Sequence, residues 1–128
     1  MDLGLPSGTL WMDGNEEGGF YTYEEALRKF GDKLPTKEQF EELWSRCQWT
    51  WDDIGYIVTG PNGNSITLPA AGYRHCGESI DYVASRGCYW SSTPSGLENA
   101  YDLYFKSDSV VMDHDRRCDG YSVRLVQK

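Results

Sequence analysis

The hydrophobic period of the chain changes once, near Trp51, and this change limits the folds that the chain can adopt. Before it, Thr22 and Thr36 each begin a capping box, because Glu25 and Gln39 stand three residues further on. After it, the apolar residues follow the alternating period of extended chain. Helices followed by a series of short antiparallel strands are typical of an α+β fold, which we therefore predict.

Two helices are predicted in the first half of the chain. The first follows Thr22 and ends at Gly31, because glycine is the usual residue just beyond a helix. The second follows Thr36 and carries an apolar stripe at helical spacing, which predicts that it packs on a core. The stripe consists of Phe40, Leu43, Trp44 and Cys47.

A β-hairpin and several further strands are predicted after the helices. The runs at 55–59 and 65–68 are rich in β-forming residues, and the connection between them is dense in turn formers. Further strands are predicted at 89–92, 100–105 and 121–126, and a weaker one at 109–112. In the run 100–105, strict alternation predicts one packed face with Leu103 and Phe105, and an outward face with Asp102 and Tyr104.

Composition bounds the class of protein and its partners. A length of 128 residues fits a single domain, residues 1–128, and an aromatic content of 14% predicts a folded chain whose tryptophans lie in the core. The net charge of −8 argues against nucleic acids and anionic membranes, since both attract Lys and Arg. The chain shows no signal peptide and no apolar run long enough for membrane insertion.

The four cysteines give a weak signal. Cys47, Cys76, Cys88 and Cys118 lack zinc-finger spacing, and three pairings are open, so free thiols are predicted and a disulfide is the alternative. The acidic run from Asp113 does not fit a calcium loop either, because arginine and cysteine stand where such a loop needs Asp or Asn and then Gly. The sequence therefore predicts no metal and no cofactor.

Six blocks in order carry a resemblance that covers nearly the whole chain. It resembles the Fibrobacter succinogenes major paralogous domain family, which is abundant in Bacteroidetes and their phages. That resemblance implies a C-type lectin-like fold, with two N-terminal helices packed on short antiparallel strands. The blocks are DLGLPSGTLW at 2–11, LPTK at 34–37, GPNGNS at 60–65, LPAAGY at 68–73, YWSS at 89–92 and SVRLV at 122–126.

The C-terminal third is also similar to the variable proteins of diversity-generating retroelements. In these, error-prone reverse transcription rewrites template adenines between a Tyr-Trp-Ser-Ser opening and a Ser-Val-Arg-Leu closing. The resemblance implies a hypervariable, ligand-binding region at about 95–121. The ligand-binding residues predicted in it are Ser95, Leu97, Glu98, Asp102, Tyr104, Lys106, Asp108, Ser109, Val111, Asp113, His114, Asp115, Arg116, Asp119 and Tyr121.

Most of these residues are reachable from an Asn codon by changes at its adenines. Lys106 is not reachable in this way and departs from the pattern. Cys118 follows from a Tyr codon that loses its adenine to guanine, so the resemblance implies a thiol that arose by diversification and is not half of a disulfide.

The predicted function is non-catalytic ligand binding by a receptor or adhesin-type module, on a phage particle or at the cell surface. Tyrosine with Asp, His and Arg is a mixture known from antibody paratopes, so an unknown ligand with a protein surface is favoured over a glycan or a small molecule. Two alternatives stay open. One is a structural or assembly domain of a phage or cell-surface particle. The other is an enzyme on a fold like that of formylglycine-generating enzymes, for which only His75, Cys76 and Cys88 are candidates.

Overall fold

The structure is a computed structural model that describes residues 1–127. It is an α+β protein with two short helices and four small antiparallel sheets in the described residues. The elements, in chain order, are β1 Leu10–Trp11, α1 Tyr23–Phe30, a 3-10 turn Gly31–Lys33, α2 Lys37–Arg46, β2 Gln48–Trp51, β3 Gly55–Thr59, β4 Ser65–Pro69, β5 Tyr73–Arg74, β6 Ile80–Asp81, β7 Arg86–Ser95, β8 Asn99–Lys106, β9 Ser109–Arg116 and β10 Val126–Gln127.

Both predicted helices are confirmed, together with their capping boxes. The Thr22 side chain accepts a hydrogen bond from the Glu25 amide at the start of α1, and Thr36 accepts one from Gln39 at the start of α2. Gly31 follows the last residue of α1, as predicted. None of the helices in residues 1–127 has the length and apolar character needed to cross a bilayer.

The apolar stripe of α2 is buried only in part. Phe40 and Leu43 have no exposed surface, but Trp44 is 48% exposed, so the expectation that every tryptophan lies in the core is wrong for this residue. Trp44 lies edge-on to Trp49 of β2, with the ring centroids 5.4 Å apart. Cys47 is the residue that ends α2 and is half-buried against the core.

Most of the predicted strands are confirmed, with different bounds. The hairpin of β3 and β4 has the predicted antiparallel pairing, and β2 adds a third strand that the sequence did not predict. The strand predicted at 121–126 is mostly wrong, because only Val126 of it lies in β10. Tyr121 and Ser122 instead make single bridges, to Tyr21 and to Tyr89 of β7.

The sheet formed by β7, β8 and β9 lies between two apolar cores. The first core combines the helix α2 and the hairpin β3–β4 with one face of this sheet, through Leu103 and Phe105. The second core combines α1 and the segment around Tyr121 with the other face, through Cys88 and Trp90. Both faces of β8, the middle strand, are therefore covered along part of their length.

The two terminal strands meet. β1 pairs antiparallel with β10, and the buried Arg124 beside β10 joins this pair to the rest of the fold. Its guanidinium donates to the Asn15 side chain at 2.7 Å and to the carbonyl oxygen of Thr67 in β4 at 2.6 Å. These contacts make Arg124, the arginine of the SVRLV block, a structural residue.

Candidate functional site

The strand register assigns each residue of β8 and β9 to one face of the sheet. Directly opposed residues of an antiparallel pair lie on the same face. Leu103 pairs with Met112, and Phe105 with Val110, on the face toward the first core, which we call the closed face. The alternate positions of the two strands lie on the opposite face, which we call the cavity face. They are Ala100, Asp102, Tyr104, Lys106, Ser109, Val111, Asp113 and Asp115.

A cavity of about 260 Å³ opens on the cavity face. Four elements contribute to it: β5, β7, the β8–β9 pair and the segment that follows β9. We call it the acidic cavity, because two carboxylates lie among its walls and no Lys or Arg of the described residues lines it. It is lined by Tyr73, His75, Cys88, Tyr104, Asp113, Asp115 and Tyr121.

Asp102 lies on the same face of the sheet as this cavity and is fully buried. It is opposite Asp113 in the sheet, so its side chain leaves the strand on the cavity side. Among residues 1–127, no group donates a hydrogen bond to either of its carboxyl oxygens. Burial raises the pKa of Asp102 well above its ordinary value, and the carboxyls of Asp115, Asp113 and Asp119 raise it further. Asp102 is therefore a buried acid crowded by other carboxyls, and no donor among the described residues satisfies its oxygens.

The expectation that Asp102 faces outward is wrong, and Asp119 and Tyr121, two of the predicted ligand-binding residues, are not exposed either. Strand alternation correctly gave the face of Asp102, but residues distant in sequence cover that face. Asp119 is also buried, and it accepts hydrogen bonds from the Tyr121 hydroxyl at 3.1 Å and from the Cys76 amide at 3.1 Å. Arg116 lies 3.6 Å from the Asp119 carboxylate, so Asp119 has an ion-pair partner, whereas Asp102 has none among the described residues.

A disulfide between Cys76 and Cys118 closes one side of the site. The predictions of free thiols at these positions, and of Cys118 as an unpaired product of diversification, are therefore wrong. Arg74 and Gly120 exchange two backbone hydrogen bonds in an antiparallel bridge, and continuing that bridge by two residues puts Cys76 opposite Cys118. Cys47 and Cys88 are free in the structure.

Cys88 is a weak nucleophile in this environment. Burial raises the pKa of its thiol well above the ordinary value, and the carboxyl of Asp102 adds to the effect. Burial raises the pKa of Tyr73, Tyr104 and Tyr121 as well. The cavity therefore presents neutral hydroxyl and thiol groups beside its carboxylates, and a thiol in this state is poorly suited to covalent catalysis.

A second, more open depression lies next to the cavity and is called the outer groove, with a volume of about 450 Å³. Arg117 fixes its floor by donating to the carbonyl oxygens of Asn99 at 3.0 Å and Gly96 at 2.8 Å. The outer groove is lined by Thr22, Glu24, Leu97, Glu98, Arg116, Arg117 and Cys118.

The structure divides the predicted binding residues among several places. Tyr104, Asp113, Asp115 and Tyr121 line the acidic cavity, while Leu97, Glu98 and Arg116 line the outer groove.

The rest lie elsewhere. Ser95 ends β7, while Lys106, Asp108 and Ser109 lie at the β8–β9 turn, where Lys106 and Asp108 approach to 3.9 Å. Val111 borders a shallow depression beside Trp44, and His114 lies on the closed-face side near Tyr101.

Sequence reasoning missed three cavity residues as binding residues: Tyr73, His75 and Cys88. All three precede the predicted region at 95–121, and nothing in their local pattern marks them. The bridge between Arg74 and Gly120, together with the Cys76–Cys118 disulfide, brings β5 beside the C-terminal segment. The Tyr73 ring is edge-on to those of Tyr104 and Tyr121, with centroids 6.5 and 5.7 Å away.

The carboxylates of the acidic cavity are not arranged as a metal centre. Within residues 1–127, the one group of three ligand atoms close enough to share an ion belongs to Cys76, Cys118 and Asp119. Two of these three atoms are joined in the disulfide, and a metal-binding cysteine must offer a thiolate. Asp102, Asp113 and Asp115 do not converge on one point.

The fold and the site together define a small α+β protein with an acidic, tyrosine-lined cavity on one face of a three-stranded sheet. The chain belongs to the family described as a domain of unknown function, DUF8237, which matches residues 52–126. The match contains every residue that lines the acidic cavity and leaves out both helices. No curated protein and no solved structure matches the chain.

Proposed function

We propose that this protein is a non-catalytic ligand-binding module, a variable protein with a C-type lectin-like fold whose binding surface is diversified by a retroelement. Its binding surface combines the exposed side chains of residues 95–121 with the acidic cavity and the outer groove. The ligand is a protein surface, and the module is carried on a phage particle or at the cell surface. The proposal keeps the resemblance to the Fibrobacter succinogenes major paralogous domain family as its framework.

The single observation that carries the proposal is the burial of the two framework blocks on either side of the exposed positions in the last third of the chain. Trp90 and Ser91 of the YWSS block have no exposed surface, and Ser122 and Arg124 of the SVRLV block are buried as well. Between these blocks, Leu97 is 94% exposed. A rigid frame that brackets chemically varied, exposed side chains is the arrangement that a binding surface needs.

The architecture supports the C-type lectin-like part of the proposal. Two short helices pack on short antiparallel strands, as that fold requires, and both helices contribute to the cores that hold the β7–β8–β9 sheet. The pairing of β1 with β10 brings the two ends of the chain together.

The state of the cysteines supports binding over catalysis. An enzyme of the alternative class would need a cysteine thiolate, yet Cys76 is in a disulfide and Cys88 is buried with a raised pKa. A disulfide also persists mainly outside the reducing cytosol, which agrees with a particle or cell-surface location.

Sequencing several copies of the locus tests the proposal. Copies that differ at Leu97, Tyr104, Val111 and His114, but agree at Trp90, Leu103 and Phe105, would support a diversified binding surface. Uniform copies with no neighbouring reverse transcriptase and template repeat would overturn it, and would favour the assembly domain, in which the same residues make fixed contacts.

A further inference from the structure

We propose that the acidic cavity binds a positively charged nitrogen group, an ammonium or a guanidinium, that belongs to the ligand of this protein. The inference rests on the binding function proposed above and adds the chemistry of the ligand. It starts from Asp102, whose two buried oxygens accept no hydrogen bond from residues 1–127.

An unpartnered buried carboxyl is costly, and most buried polar atoms in proteins have a partner. The neighbours of Asp102 increase the cost, because Asp113 lies directly opposite it and Asp115 is two residues further along β9 on the same face. The two ion pairs in the described part of the chain, Lys106–Asp108 and Arg116–Asp119, include none of these three acids. Arg86 lies beside the cavity tyrosines Tyr73 and Tyr104, but it makes no ion pair with these acids in the described part of the chain.

The walls of the cavity suit an organic cation. Tyr73, Tyr104 and Tyr121 line it, and a ring of tyrosines attracts a cation through the negative faces of the aromatic rings. The chain already makes this contact at the same edge of the sheet, where the Arg86 guanidinium lies 4.0 Å from the centre of the Tyr82 ring. Ammonium and guanidinium groups also carry only donors, which suits the Asp113 and Asp115 carboxylates that line the cavity and the Asp102 carboxyl on the same face.

The size and the geometry of the site favour such a group over a metal ion. At about 260 Å³ the cavity is smaller than sites for drug-sized molecules, and it suits the end of one side chain. The acids at 102, 113 and 115 do not form a group of ligand atoms close enough to share an ion, within the residues that the structure describes. A larger organic cation fits these separated carboxyl groups, because its different N–H groups can each reach a different acid.

Titration of the protein with small probes tests the inference. The probes are methylguanidinium, n-butylammonium, an acetylated Gly-Gly-Arg-Gly-Gly amide and the same peptide with neutral citrulline, followed by amide NMR shifts. We expect the three cationic probes to shift the signals of Cys88, Asp102 and Asp113 and to saturate at roughly millimolar concentration, and the citrulline peptide to leave them unchanged. Tighter binding of the arginine peptide than of methylguanidinium would identify a protein side chain as the source of the cation. Equal binding of these two probes would identify a free small cation as the source.

Two variants and one control complete the experiment. Asp102→Asn and Asp115→Asn keep the side-chain shape and remove the acid, so each is expected to weaken binding by about tenfold or more. Asp32→Asn removes the same charge from the exposed 3-10 turn and is expected to leave binding unchanged. Equal loss in all three variants would reduce the effect to net charge and overturn the inference.

Two other outcomes would also overturn it. Saturation of the same signals by Ca²⁺, with no response to the organic cations, would make the cavity a metal site. No response to any probe would show that the cavity does not bind a cation. The sequencing experiment tests the diversified surface independently, so the two proposals can fail separately.

Discussion

On the closed face of the β7–β8–β9 sheet, Leu103 and Phe105 are buried among apolar neighbours, whereas on the cavity face Asp102 is buried at the same depth with no hydrogen bond. The three residues lie within one strand, β8, so the backbone is the same for both faces. What differs is the covering layer. The closed face meets a complete core, and the cavity face meets a small space with tyrosine and acid in its walls.

Burial alone therefore does not identify a structural residue. Phe105 stabilises the fold through its contacts, while a buried acid without a partner works against stability. A buried acid of this kind is expected at a functional site, where side chains serve binding or chemistry at a cost in stability. Substitutions on the two faces should differ in their effects, which are given from the largest to the smallest.

The largest effect is expected on the closed face. Phe105→Ala removes a ring that lies 5.2 Å from Tyr56 and 6.0 Å from Tyr89, and should lower the free energy of unfolding by about 3–5 kcal/mol in urea denaturation. Its neighbour Tyr104 is half-buried on the cavity face, so Tyr104→Ala should cost clearly less. Equal losses would mean that the two faces are packed alike.

The second effect concerns the disulfide at the edge of the cavity face. Because it joins residues 42 positions apart, replacing Cys76 and Cys118 together by Ala should lower the free energy of unfolding by about 2–4 kcal/mol. Cys47→Ala is the control, since Cys47 is free, and should cost less. A thiol count on the unfolded, unreduced protein should find two free thiols, and a count of four would refute the pairing.

The third effect is a pH dependence that belongs to Asp102. Its raised pKa means that Asp102 keeps its proton in the folded protein at pH values where the unfolded chain has released it, above about pH 4. The contribution of Asp102 to the free energy of unfolding is therefore complete below that pH. It is lost as the pH rises toward the folded pKa, by up to about 1.4 kcal/mol per pH unit.

Asp102→Asn should therefore gain stability relative to the wild type as the pH rises from about 4, in urea denaturation at several pH values. Asp32→Asn serves as the control, because this acid is exposed. Parallel pH curves for the wild type and Asp102→Asn would show that Asp102 is not the buried acid described above.

The smallest effect is expected at the outer positions of β9. Val111 is 46% exposed and His114 is exposed, so replacing either by Ala should change the free energy of unfolding by about 0.5 kcal/mol or less. Thermal melting of the two variants measures this. A large loss at either position would contradict the view that these positions are free to vary.

The helices and the hairpin could be predicted because their signals are local. The capping boxes at Thr22 and Thr36 lie within four residues of sequence, and the turn between β3 and β4 is dense in turn formers. The same local rule placed Asp102 on the correct face of β8. It could not show what covers that face, because Tyr121 comes from nineteen residues further along and Tyr73 from twenty-nine residues before.

The disulfide and the cavity escaped prediction for a related reason. Both depend on the bridge between Arg74 and Gly120, a contact between distant segments that has no periodic signal in the sequence. The strand expected at 121–126 failed similarly, because Tyr121 and Ser122 each contact a different element and do not follow a single partner strand.

The most direct test of the contrast between the two faces is the ionisation of Asp102 itself. Carbon-13 NMR of the aspartate carboxyls, followed from about pH 3 to about pH 9 and assigned with Asp102→Asn, measures it. One carboxyl should titrate well above the ordinary range of aspartate, be missing in the variant, and move to lower pH when a cationic probe is added. If every aspartate carboxyl titrates near pH 4 and none responds to the probe, the cavity face holds no unpartnered acid and the account is wrong.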